Sequence, residues 1–99
     1  MARIYISGPI TGTDDWEDRF AKAEDDLLIA DQDNIVINPA RVATALPMEL
    51  THAEYMGIDL AMLDLCDAIY MLKGWERSEG AKEELAFALA NNIHIMLEA

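Results

Sequence analysis

Positive charge is scarce in this sequence. Seven Lys and Arg face nineteen Asp and Glu over 99 residues, a formal net charge of −12 with both His neutral. Affinity for a phosphate backbone comes mainly from clustered Lys and Arg, so a nucleic-acid polymer is not an expected partner. A single small nucleotide stays open, because a few N–H groups and one helix N-terminus can hold it. Cysteine is scarcer still. Cys66 stands alone, which precludes an internal disulfide and suggests a reducing compartment. Long apolar runs are missing too. No stretch reaches the roughly 18 apolar residues of a membrane span. Gly8-Pro9 interrupts the first apolar run before a signal-peptide core could form. Neither a signal peptide nor a membrane partner is expected, and the cytoplasm is the expected location.

What is abundant is apolar surface. Hydrophobic residues make up 53% of the chain, against about 45–50% in ordinary globular domains. The length accommodates one domain, residues 1–99, with a small core. A second copy would add stability at this size, so a homodimer or larger homo-oligomer is expected.

Periodicity switches repeatedly along the chain. Ile4-Tyr5-Ile6, ended by Ser7-Gly8-Pro9, reads as a strand buried on both faces. Thr13, Asp14 or Asp15 can cap the helix that follows. Trp16, Phe20, Ala23, Leu27 and Ala30 then recur at helical spacing over about residues 15–31. Ile35-Val36-Ile37 reads as a second strand, closed by Asn38-Pro39. Residues 40–50 read as a loop with room for a turn of helix. Thr51 and Glu54 form a capping-box pattern ahead of a helix to about Leu65. A third strand (68–72), a loop (74–80), a third helix ended near Asn91-Asn92, and a fourth strand (93–97) complete the chain. The expected fold is therefore α/β: a parallel four-stranded sheet with helices on both faces and right-handed crossovers. Such sheets take ligands outside the strand carboxyl ends, here near Ser7–Thr13, Asn38–Val42 and Lys73–Gly80.

Few residues at that edge can carry chemistry. Glu84 falls on the apolar stripe of the third helix, between Ala81 and Ala88; it is either partly desolvated and functional or an outward acid of the first turns. Glu83 lies one step round, and periodicity does not choose between them. Asp59 flanks the apolar face of the preceding helix, where Asp is a poor helix former; a salt bridge or a solvated flank is the alternative. Ser78-Glu79-Gly80 opens a helix, an anion site or an ordinary N-cap. Trp75, in the adjoining loop, suits base stacking or a dimer contact. The loop Ser7–Gly12 matches neither a dinucleotide fingerprint nor a P-loop, and Pro9 offers no N–H. His52 and His94 lack metal spacing, and Cys66 reads as buried and inert. Neither a metal nor a cofactor is expected.

Taken together, Ile4-Tyr5-Ile6-Ser7-Gly8-Pro9-Ile10-Thr11-Gly12, Asn38-Pro39-Ala40, Asp59-Leu60, Gly74-Trp75 and Ser78-x-Gly80-Ala81-x-x-Glu84-x-x-x-Ala88 resemble the nucleoside 2-deoxyribosyltransferase superfamily. The closer likeness is to a phage and bacterial branch similar to 2′-deoxynucleoside 5′-phosphate N-hydrolases. The resemblance implies a flavodoxin-like sheet and oligomers with sites near subunit contacts. It also assigns roles, with Glu84 as nucleophile at C1′ and Asp59 assisting the departing base or orienting the sugar. Tyr5 would lie in the pocket and Ser78 would contact a phosphate, with Gly8, Asn38, Gly80 and Trp75 completing the binding set. The sequence departs from the hydrolases in its first loop: Gly8-Pro9-Ile10-Thr11 lacks the hydroxyl and the Arg of their Gly-Ser-x-Arg. The segment that follows the last strand in the transferases is also absent before Ala99, so hydrolysis is expected over transfer.

These residue types suit N-glycosidic cleavage. A carboxylate stabilises or captures an oxocarbenium-like centre, and a second carboxyl of raised pKa protonates the leaving base. The expected activity is an N-glycosidase acting on a nucleoside or its 5′-monophosphate. Two other readings remain open: a nucleotide-binding sensor or sponge without turnover, and an interaction protein whose acidic surface mimics a polyanion.

Overall fold

The computed structural model describes residues 2–10 and 14–99. Its frame is a four-stranded sheet in the order β2-β1-β3-β4, with every pair parallel. The strands are β1 (Arg3–Ser7), β2 (Ile35–Ile37), β3 (Ala68–Met71) and β4 (His94–Leu97). Among the described residues, four α-helices and one 3₁₀ turn (Trp75–Arg77) join them: α1 (Trp16–Ala30), α2 (Pro39–Ala43), α3 (His52–Leu63) and α4 (Glu79–Ala90). This is the flavodoxin-like three-layer sandwich the sequence predicts.

The strand β1 shows why two layers of helix are needed. Side chains alternate across a strand, and β1 is apolar on one side and mixed on the other. Ile4 and Ile6 join Phe20, Ala23 and Leu27 of α1 in one core. Tyr5 joins Leu63 of α3, Ala81 and Ala88 of α4, and Ile69 and Met71 of β3 in the second. Tyr5, Ile6, Leu63 and Ile69 are fully buried.

The helix starts follow from local hydrogen bonding. Thr51 and Glu54 form the capping box: Thr51 Oγ1 accepts from the Glu54 amide at 3.1 Å, and Glu54 Oε1 accepts from the Thr51 amide at 2.9 Å. The bonds from Thr51 hold the Glu54 carboxyl below its ordinary range. Ser78 caps α4 by accepting from the Ala81 amide. The turn of helix expected within residues 40–50 is there, and it starts earlier, at Asn38-Pro39, as α2. Asn38 Oδ1 accepts from the Ala40 amide at 3.0 Å, and Pro39 occupies a first-turn position where no N–H is required. Of the three expected caps for α1, Asp15 holds the cap position, without a side-chain cap bond, Asp14 precedes it, and Thr13 lies outside the described residues. Asn92, past the end of α4, takes the left-handed conformation with φ 58°, which Asn tolerates.

Strand order reverses between β1 and β3. The chain leaves β1 for β2 on one side and crosses back to β3 on the other. A crevice opens at such a switch point, outside the carboxyl ends of the two central strands. Among the described residues, no helix is long and apolar enough to cross a membrane.

Candidate active site

Two residues of β1 aim hydroxyls at one carboxylate. Tyr5 and Ser7 are two positions apart and so share a face of the strand. Ser7 Oγ donates to Glu84 Oε1 at 2.6 Å, and Tyr5 OH donates to Glu84 Oε2. The helix α4 carries Glu84 to this point because its sheet-facing neighbours are small. Ala81 and Ala88, three before and four after it, are both buried, which lets the helix approach the strand closely.

Glu84 is only 5% exposed. Burial pushes its carboxyl up to about 7, the Ser7 and Tyr5 hydroxyls pull it back, and the Asp59 and Glu83 charges push it further up. Burial also raises the Tyr5 phenol well above its ordinary value, reinforced by the Glu84 charge. Tyr5 thus remains a proton donor in the bond to Glu84.

Above this cluster lies a cavity of about 640 Å³ at the carboxyl edge of the sheet. Glu84 and Asp59 both line it. So do Gly8, Ser78, Gly80 and a largely apolar wall that includes Ile10, Trp16, Leu46, Met48 and Met56. Trp16 is braced by an edge-to-face contact with Phe20, centroids 6.2 Å apart. Burial lifts the Asp59 carboxyl to about 6, against the opposing pull of His52. His52 also lines the cavity, and its Nε2 sits 3.3 Å from Glu83 Oε1. The Glu83 side chain is 48% exposed, so the two adjacent glutamates differ sharply in environment.

Glycine at position 8 has a steric cause. A Cβ there would fall 2.8 Å from Leu72 Cβ, closer than packed side chains come. The end of β1 therefore lies directly against the residue that follows β3, and Gly8 contributes backbone to the cavity.

The structure gathers Glu84, Asp59, Gly8, Ser78 and Gly80 around one cavity and sets Tyr5 beneath it. Asn38 and Trp75 stand apart. Asn38 caps α2 and donates to Glu24 Oε1 at 3.1 Å. Trp75 packs against the core beneath α4. Ser7, His52 and Tyr55 are at the site without having been singled out for it. For Ser7 a signal existed: it lies two residues beyond Tyr5 on a strand. For His52 and Tyr55 none did, because their place depends on how α3 docks. Cys66 is buried, and burial pushes its thiol up to about 11, which leaves it protonated and unreactive. Among the described residues, no three His, Cys, Asp or Glu side chains gather where they could hold a metal ion.

A carboxylate held by two hydroxyls and a second carboxyl of raised pKa face one cavity. Such a pair can divide the tasks of nucleophile and acid. Fold and site thus define an α/β protein with a buried carboxylate at the sheet's switch point. The chain belongs to the family described as a domain of unknown function, DUF4406, whose model matches residues 2–97. No curated protein matches the chain.

Proposed function

We propose that this protein is an N-glycosidase of the nucleoside 2-deoxyribosyltransferase superfamily, cleaving the bond between sugar and base in a nucleoside or its 5′-monophosphate. The observation that carries the reading is the Glu84 carboxylate. It is buried, fixed by Tyr5 and Ser7, and shares a cavity with Asp59. A buried carboxylate with two donors is costly to maintain, and its place at the ligand edge gives that cost a use.

In the proposed reaction, the Glu84 carboxylate attacks C1′ as the bond to the base nitrogen breaks. The base leaves with the bonding pair and takes a proton from Asp59. Water then attacks C1′, giving its proton to the Asp59 carboxylate and its hydroxyl to the sugar, and Glu84 is released. Tyr5 and Ser7 hold both Glu84 oxygens, so the nucleophile is oriented before substrate arrives. Cavity volume is ample for a nucleoside, and the apolar wall suits a planar base.

The reading includes assembly as a homodimer or larger. Leu65 and Leu89 are 60% and 64% exposed, and a one-chain mass by light scattering at micromolar concentration would contradict that part.

The deciding experiment incubates the protein with a panel of deoxynucleosides, ribonucleosides and their 5′-monophosphates and follows free base by chromatography. Base release that disappears in Glu84→Ala is the expected result. If no base forms, or Glu84→Ala matches the wild type, the reading fails. A ligand bound but recovered intact would assign the cavity to binding without turnover.

A further inference from the structure

We infer that the cavity selects an uncharged nucleoside and discriminates against its 5′-monophosphate, an inference that rests on the N-glycosidase reading. Among the described residues, the ionisable groups lining the cavity are Glu17, Asp59, Glu84, His52 and Tyr55. Among the described lining residues there is no Lys or Arg.

The cations lie elsewhere. Arg3 bonds the Leu65 carbonyl, and the Arg77 guanidinium lies against Gly74, near Pro9 of the first loop but outside the cavity lining. Arg19 bonds the Lys73 carbonyl, and Arg41 pairs with Glu24. Lys22 pairs with Asp26, and Lys82 with Glu79. His52, the remaining basic group of the cavity, faces Glu83. A phosphate dianion entering here would meet acidic side chains from three helices, Glu17, Asp59 and Glu84, and no Lys or Arg among the described lining residues.

The N-terminus of α4 does not offset this. The Ala81 amide is taken by Ser78 Oγ, so one first-turn donor is already used, and Glu79 and Lys82 pair there without adding net positive charge. A neutral sugar and base meet none of this penalty. Their hydroxyls and ring nitrogens can instead use the carboxyl groups as hydrogen-bond partners.

The test compares kcat/KM for each 2′-deoxynucleoside and its own 5′-monophosphate at 20 mM and 500 mM salt, in wild type and Glu17→Lys. The expected result is at least a tenfold preference for the nucleoside at low salt. High salt should narrow the preference, as screening predicts, and Glu17→Lys should narrow it about threefold or more. Equal use or preference for the monophosphate would overturn the inference and leave the N-glycosidase reading standing. If neither compound releases base, that reading falls, and calorimetric binding of the same intact pairs decides. Tighter nucleoside binding sustains the charge selection, and tighter or equal monophosphate binding ends it.

Discussion

Replacing Glu84 by Gln should make the protein more stable at alkaline pH and no more stable in acid. The side chain is 5% exposed, and burial holds its carboxyl at about 7 against an ordinary 4.5. Below pH 4.5 the group is protonated in the folded and the unfolded chain, so pH does not alter their balance. Between 4.5 and 7 the folded chain keeps a proton that the unfolded chain has lost, and stability falls as pH rises. Above 7 the full cost of a buried charge is present. At about 1.36 kcal/mol per pH unit, the gap from 4.5 to 7 corresponds to about 3 kcal/mol. Gln keeps the shape, and the Ser7 and Tyr5 hydroxyls can turn to suit it. For a domain of this size that is a rise in Tm on the order of 10 °C at pH 8. The assay is thermal unfolding of wild type, Glu84→Gln and Glu83→Gln at pH 4 and pH 8. Glu83→Gln removes an equal charge from an exposed side chain and so controls for net charge. A Glu84→Gln gain that is absent at pH 8, equal at pH 4, or matched by Glu83→Gln would refute the reasoning.

Other outcomes follow from the same geometry. Base release should follow a narrow bell with its maximum near pH 6.5, since Glu84 must be ionised and Asp59 protonated; a plateau up to pH 9 would remove Asp59 as the acid. Tyr5→Phe and Ser7→Ala each remove a donor that favours ionised Glu84. Because Glu84 is the group of higher pKa, both should lower the rate at pH 6 by about tenfold and move the falling limb and the optimum to higher pH. Gly8→Ala should cost about 1–3 kcal/mol in urea unfolding, because the new Cβ meets Leu72. Thr51→Ala should cost about 1 kcal/mol by loss of the capping box.

Strand and helix order was readable because each element carries its own period. Ile4-Tyr5-Ile6 declared a strand buried on both faces, and Thr51 with Glu54 declared the start of α3. Asn38-Pro39 carries a helix-start signal as well, a capping side chain followed by Pro, on the same residues that end β2. The environment of Glu84 was half visible. Its position between Ala81 and Ala88 placed it on the apolar stripe, while its partners sit 77 and 79 residues away on β1. No local pattern reports a pairing at that separation. Trp75 shows the reverse limit: its place in a loop at the sheet's edge is evident from sequence, but the direction of its ring is decided by packing under α4.

Alternation along β1 ties folding fidelity to reactivity. Ile4 and Ile6 feed one core while Tyr5 and Ser7 hold the carboxylate on the opposite side. A slip of one residue would exchange the two sets, pressing aliphatic carbons against Glu84 and stranding two hydroxyls in oil. Misaligned chains would thus lose both their cores and the Glu84 cluster, so the arrangement that holds the carboxylate also proofreads the sheet.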